Sequence, residues 1–286
     1  MSSTRDNQRK TVLITGTSSG IGLAAVVAAA QAGWHTVATM RDTSRADALR
    51  QAAAEAGVAD RVEVRQLDVT DPASVAACLD GVLAEHGRLD AVVNNAGAGH
   101  VGTIEQESVD DVRAVLEVNF FGVVEVVRAA LPHLRASRGR LITVTSVGGV
   151  VGQPFNEAYC AAKFAVEGFL ESLAPVAATT GVRVTLVEPG AVASEFVANV
   201  NVDTSAALEA AGPYAPALQR YLDRTQNAFA NAQTPAEAAA TIIEALDTER
   251  PALRMQTSQT ARGFASTKLT DLDGSATLAL TSTWVS

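Results

Sequence analysis

Thr11-Val-Leu-Ile-Thr15-Gly16-Thr-Ser18-Ser19-Gly20-Ile21-Gly22 decides the fold. Its first five residues are β-branched or aliphatic and read as a short buried strand. Three glycines follow, and Leu23-Ala-Ala-Val-Val-Ala-Ala-Ala-Gln31 then reads as a helix. A strand that passes through a glycine-rich loop into a helix gathers backbone N–H groups at one point. Those groups, with the positive end of the helix dipole, bind a pyrophosphate. Gly16, Ser18, Ser19, Gly20, Ile21 and Gly22 are therefore candidate nucleotide contacts. Taken alone, the glycines also fit a turn that merely needs positive φ.

The same alternation continues along the chain. Strands are expected near 11–15, 35–40, 61–66, 90–93, 140–145, 182–187 and 252–257, with helices near 20–32, 44–56, 72–87, 108–135, 157–179 and 235–247. Asp71-Pro72 supplies an N-cap and a proline for the first helical position, and Thr234-Pro235-Ala-Glu237 reads as a capping box. Strands written as near-continuous apolar runs and joined by helices imply a parallel sheet covered on both faces. The expectation is a single doubly wound α/β domain of Rossmann type, with a seven-stranded parallel sheet, over residues 11–257. Residues 1–10 read as a disordered leader. Residues 194–233 interrupt the alternation, and 258–286 form a C-terminal tail that packs on the domain or a neighbouring subunit.

Composition bounds the function. The chain has 286 residues, 48 % of them hydrophobic, and a formal net charge of −9. That charge argues against nucleic acid and against a basic membrane-binding face, though not against an anionic cofactor. Cys78 and Cys160 lie far apart without metal-ligand spacing, so neither a disulfide framework nor a cysteine-rich zinc site is expected. Leu269-Thr-Asp-Leu-Asp-Gly274 lacks the acidic set of a calcium loop, and no metal is expected. The polar start has no signal-peptide core, and no apolar run is long enough to span a membrane; a cytoplasmic location follows as the expectation.

The end of the second strand should meet the adenosine ribose, where an acid commonly selects NAD. Met40-Arg41 stands there instead. A guanidinium pairs with a 2′-phosphate through charge-assisted hydrogen bonds, so NADP(H) is favoured over NAD(H). The competing reading pairs Arg41 with Asp42 on the surface. Asp68 closes the third strand and could accept from the adenine amino group. Asn94-Asn95-Ala96-Gly97 closes the fourth, where small residues and amides suit a backbone pressed against a nucleotide, or a plain turn.

Tyr159 and Lys163 are four residues apart and share one helix face. A free phenol holds its proton at neutral pH. A neighbouring ammonium and an oxidised nicotinamide would stabilise the phenolate, which allows proton exchange with an alcohol or carbonyl oxygen. Tyr-x-x-x-Lys is cheap on its own; Ser146, thirteen residues earlier at the end of a strand, adds a hydroxyl for the same substrate oxygen. Asn119 sits inside an apolar helix, where its propensity is poor, which points to an internal or functional hydrogen bond.

Together these residues resemble the classical short-chain dehydrogenase/reductase family over about residues 10–257. Thr15-Gly-x-x-x-Gly-Ile-Gly22, Asp68, Asn94-Asn-Ala-Gly97, Asn119, Ser146, Tyr159-x-x-x-Lys163 and Pro189-Gly190 carry the resemblance. It implies Tyr159 as acid/base, Ser146 as substrate anchor, and Lys163 as both ribose ligand and modifier of the tyrosine. Asn119 would hold a water in the proton relay. Cofactor contacts are implied at Val69, Asn95, Ala96 and Gly97, and again at Pro189, Gly190, Val192 and Ser194, the last replacing a customary threonine. Ser146 to Phe169, with Ala38-Thr-Met-Arg-Asp42, is similar to the branch holding 17β-hydroxysteroid and retinol dehydrogenases and bacterial relatives, whose members favour NADP(H). No histidine lies beyond His133, so a steroid substrate has no support from the sequence.

Residues 194–233 contain Phe196, Tyr214, Tyr221 and Phe229 and read as a substrate lid with an apolar inner face. The implied substrate is an apolar secondary alcohol or its ketone or aldehyde, and the implied assembly is a homodimer or homotetramer. Two rivals share the fold. A non-catalytic NADP(H) sensor would usually lose the tyrosine or lysine, and a cofactor-free lyase such as a halohydrin dehalogenase would lose the glycines and replace the lysine by arginine.

Overall fold

The computed structural model describes residues 9–194, 204–230 and 232–286. Its first half runs β1 (Thr11–Thr15), α1 (Gly20–Gln31), β2 (His35–Met40), α2 (Asp47–Glu55), β3 (Val62–Gln66), α3 (Pro72–His86), β4 (Ala91–Asn94). The second continues with α4 (Val109–Leu116), α5 (Gly122–Ser137), β5 (Arg140–Val144), α6 (Glu157–Ala178) and β6 (Arg183–Glu188). After β6 come α7 (Thr204–Ala210), α8 (Ala215–Ala230), α9 (Pro235–Asp247), β7 (Arg254–Gln256), α10 (Gln259–Leu269) and α11 (Ser275–Ser282). The seven strands form one parallel sheet in the order β3-β2-β1-β4-β5-β6-β7. Strand order reverses between β1 and β4, and at such a switch point the carboxyl ends of the strands open a crevice.

Both faces of the sheet are covered, which is why β1 reads as an unbroken apolar run. Leu13 packs with Leu134, Leu141 and Leu170 on the side of α3, α5 and α6. Val12 and Ile14 turn the other way, towards Ile242 and Leu246 of α9 and Val26 of α1. The edge strand β3 alternates Val62-Glu-Val-Arg65 because it has a neighbour on one side only and lacks full cover.

The expected sheet and helices are present, with local differences. The last strand is only Arg254–Gln256, and the helix expected near 44–56 opens as a 3-10 turn at Thr43–Arg45, capped by the Asp42 carboxylate. The expected continuous helix near 108–135 is divided by a π-turn at Glu117–Phe121. Asn119 lies in that turn, where its amide competes for backbone groups. Asp71 and the Thr234–Glu237 box cap α3 and α9. Lys10, placed in the leader by its polarity, has its ammonium 5.5 Å from the Trp34 ring centre and its carbonyl accepts from His35. Residues 258–286 form α10 and α11, and Trp284 is buried against Phe264. A small core of Phe155, Leu218, Tyr221 and Trp284 joins this tail to α8 and to the loop before α6. Part of the segment read as a lid, including Phe196, lies outside the described residues.

Candidate active site

The glycine loop is built by exclusion. Gly16 (φ 69°) and Gly20 (φ 59°) hold left-handed backbone. A Cβ on Gly22 would lie 2.2 Å from the Gly16 carbonyl and 2.4 Å from Asn95 Nδ2. The Asn95 amide donates to the Thr15 and Gly16 carbonyls, both at 2.9 Å, and its backbone N–H bonds Thr15 Oγ1 at 3.0 Å. Asn95 thus braces the loop against β4. Ser19 is the N-cap of α1 yet makes no capping hydrogen bond, and the first turn carries no acid. Its hydroxyl and the first N–H groups of the helix can therefore serve an anion.

A continuous cleft of about 1600 Å³ extends from this loop across the sheet. Ser18, Ser19, Gly20, Ile21 and Gly22 line one wall, with Arg41, Asp68, Val69, Ala96 and Gly97 further along. Pro189, Gly190, Val192 and Ser194 lie opposite, and Ser194 comes so close that a Cβ on Gly20 would meet its own Cβ at 3.2 Å. Asp68 Oδ1 accepts from the N–H and hydroxyl of Thr70, at 3.0 and 2.7 Å, so it is the second carboxylate oxygen that is uncommitted to that turn. Asp42 likewise accepts from Ser44 at 3.0 and 2.7 Å, so it serves the 3-10 turn. Hydrogen bonds from Ser44 hold its carboxyl below the usual range.

Ser146, Tyr159 and Lys163 converge on the same cleft. Ser146 follows β5, and its Oγ accepts from Gly148 N at 2.9 Å, so its own proton remains available to donate. Its hydroxyl also bonds that of Tyr159. Burial pushes the Tyr159 phenol above its ordinary range, only partly offset by that bond, so the tyrosine stands as a protonated acid. Lys163 reaches under the ring, its Nζ 5.7 Å from the ring centre, and donates to the Val144 carbonyl at 3.3 Å. Burial lowers Lys163 to about 8, against the opposing charge of Glu167. It still carries its proton at neutral pH, with two donors left over.

Asn119 is wholly buried at the back of this group. Its Nδ2 donates to the carbonyls of Ala98 and Val115 at 3.0 and 3.1 Å, and Oδ1 accepts from Ala98 N at 3.2 Å. Gly97 separates it from the lysine, since a Cβ there would sit 2.9 Å from Asn119 Oδ1 and 3.5 Å from Lys163 Nζ. Behind Lys163, Glu167 accepts from Thr145 Oγ1 at 2.6 Å and from Arg254 Nε at 3.1 Å. Burial raises Glu167 to about 7 despite these partners. This strut ties α6 to β7 beside the segment that carries Ser146.

Sequence reasoning missed several lining residues. Arg45 joins Arg41 near the end of β2, and Gln153, Asn156, Phe264 and Trp284 line the cleft as well. Asn156 donates to the Tyr221 hydroxyl, which fixes α8 over the start of α6. The one available signal was Trp284, one of two tryptophans in the chain and placed in a polar tail.

The short chain dehydrogenase family profile matches residues 10–205. Retinol dehydrogenase 8 of Bos taurus is 39 % identical over 275 residues, covering 93 % of this chain and 87 % of that one. Human 17-beta-hydroxysteroid dehydrogenase type 1 is 38 % identical over 274 residues, covering 93 % and 83 %. A crystal structure of a short-chain dehydrogenase from Streptomyces avermitilis superposes with a TM-score of 0.76 at 33 % identity, over 99 % of this chain and 98 % of that one. The chain belongs to the short-chain dehydrogenase family. It is an oxidoreductase acting on CH–OH groups, built on a fold that binds nicotinamide cofactors.

Proposed function

We propose that the protein is an NADP(H)-dependent oxidoreductase that interconverts an apolar secondary alcohol and its ketone or aldehyde, with Tyr159 as acid/base. The convergence of Ser146, Tyr159 and Lys163 on a cleft that also contains the glycine loop carries this reading. The loop suits a dinucleotide, because its glycines leave backbone N–H groups open where any side chain would collide. When bound, the nicotinamide supplies or accepts the hydride. In reduction, Tyr159 gives its proton to the carbonyl oxygen while Ser146 donates a hydrogen bond to the same atom. Lys163 would hold the ribose through its remaining N–H groups and stabilise the phenolate left behind. Asn119 holds the Ala98 backbone and so fixes the wall beside the lysine.

Arg41 supports NADP(H) because it lines the cleft beside Arg45 just beyond the end of β2, giving two guanidinium groups for a 2′-phosphate. Arg41→Ala is expected to raise the KM for NADPH about 10-fold, the loss of one charge-assisted hydrogen bond, and to leave that for NADH nearly unchanged. Equal effects on the two cofactors would remove the assignment.

The apolar substrate follows from Tyr221, Leu222, Phe229, Phe264 and Trp284 at the far end of the cleft. With a panel of carbonyl compounds and NADPH, turnover should concentrate on apolar ketones; activity confined to sugars or small polar acids contradicts the reading. Trp284→Ala should raise KM for bulky ketones about 10-fold through loss of roughly 1.5 kcal/mol of contact, with little change for small ones. A homodimer or homotetramer is supported by Phe121, Phe164 and Phe169, which remain exposed on and beside α6.

A further inference from the structure

Away from the cleft, three side chains meet at the opposite rim of the sheet. His35 opens β2, Glu63 is the second residue of β3 and His86 ends α3. Val37 pairs in register with Glu63, and the two-residue period of a strand puts His35 and Val37 on one face. That is the face covered by α3, since Val37 shares a core with Cys78, Leu79 and Val82. Glu63 Oε2 lies 2.8 Å from His86 Nε2 and 3.4 Å from His35 Nε2, and one ligand atom from each residue falls within 4.8 Å of the others. The imidazole ring centres are 4.2 Å apart. The three side chains are only 17 %, 23 % and 18 % exposed.

We propose that His35, Glu63 and His86 bind a zinc-class divalent cation. Two imidazole nitrogens and one carboxylate oxygen are the donor set that borderline transition metals take, with water in the fourth position. Magnesium and calcium prefer all-oxygen shells and are disfavoured. Metal–ligand bonds of about 2.0–2.1 Å in a tetrahedron separate the ligand atoms by about 3.3 Å. The two Glu63–histidine spacings bracket that value, so the carboxylate oxygen already stands at ligand separation from both rings. Arg65 pairs with the other carboxylate oxygen, Oε1, and also with Glu85. It thereby turns Oε2 towards both histidines, while its charge weakens the hold on a cation. The ligands come from three separate elements, which is why no spacing in the sequence announces them. A cation there would clasp the end of α3 to the β2–β3 edge. The five residue steps of β2 put it about 16 Å from the cleft end of that strand, so its effect is on stability and not on chemistry.

The test uses the full chain without a histidine tag, stripped by a chelator and titrated with zinc chloride by calorimetry and thermal melting. One zinc per chain is expected, with Tm raised by about 5 °C at saturation and no rise with magnesium or calcium. The cobalt(II) form should show the visible bands of a four-coordinate site. His35→Gln and His86→Gln should each weaken zinc binding more than about 10-fold, since losing even an outer-shell partner costs about 10–100-fold, while ketone turnover and the zinc response of a His133→Gln control stay as in the wild type. Absence of binding at submillimolar zinc, or binding that survives in both variants, overturns the site. If either variant fails to fold, the wild-type cobalt spectrum decides, because a six-coordinate aqua-type spectrum overturns it alone.

Discussion

Tyr159→Phe is expected to reduce ketone turnover by about 10²–10⁴-fold, the usual contribution of a positioned general acid, while NADPH binds as tightly as to the wild type. The substitution removes one oxygen and keeps the ring that lies over Lys163. Fluorescence titration with NADPH and steady-state assays on the same preparation separate the two effects. Turnover preserved in the variant would mean that another group delivers the proton. If NADPH binding and turnover fell together, the tyrosine would be a structural part of the cofactor site. If the wild type itself binds NADPH and turns over no carbonyl compound, a sensor of the same fold is the better description.

Gly22→Ala should weaken NADPH binding by about 10–100-fold, because overpacking a tight site costs about 1–3 kcal/mol. The new methyl would sit 2.2 Å from the Gly16 carbonyl and 2.4 Å from the Asn95 amide, so either the loop or its brace must move. Movement of Asn95 releases two hydrogen bonds to the loop, and movement of the loop misdirects the N–H groups meant for phosphate. Gly152→Ala, with open space around it, is the control and should bind normally. A normal Kd for Gly22→Ala would show that the loop is not the phosphate cradle.

Sequence carried the frame because buried parallel strands must be apolar on both faces, as Val12, Leu13 and Ile14 are. It carried the chemistry of Tyr159 and Lys163 because one helical turn fixes their common face. Division of the long helix at Asn119 was legible only as a residue out of place; the π-turn depends on hydrogen bonds to Ala98, twenty-one positions away. The role of Asn95 also depends on partners that a one-dimensional pattern does not pair, Thr15 and Gly16 some eighty positions away. Trp284 reaches the cleft by the packing of a distant tail, and His35, Glu63 and His86 meet through sheet register and helix length. Local periodicity encodes elements, whereas these contacts depend on how elements cross.

Hydride transfer from NADPH coupled to protonation by Tyr159 can be followed by reducing an apolar ketone with NADPH carrying deuterium on the transferable position of the dihydronicotinamide, with mass spectrometry of the alcohol. One deuterium on the carbinol carbon is expected with the wild type and almost no labelled product with Tyr159→Phe. Alcohol formed without deuterium, or labelled alcohol formed equally by both proteins, would contradict it.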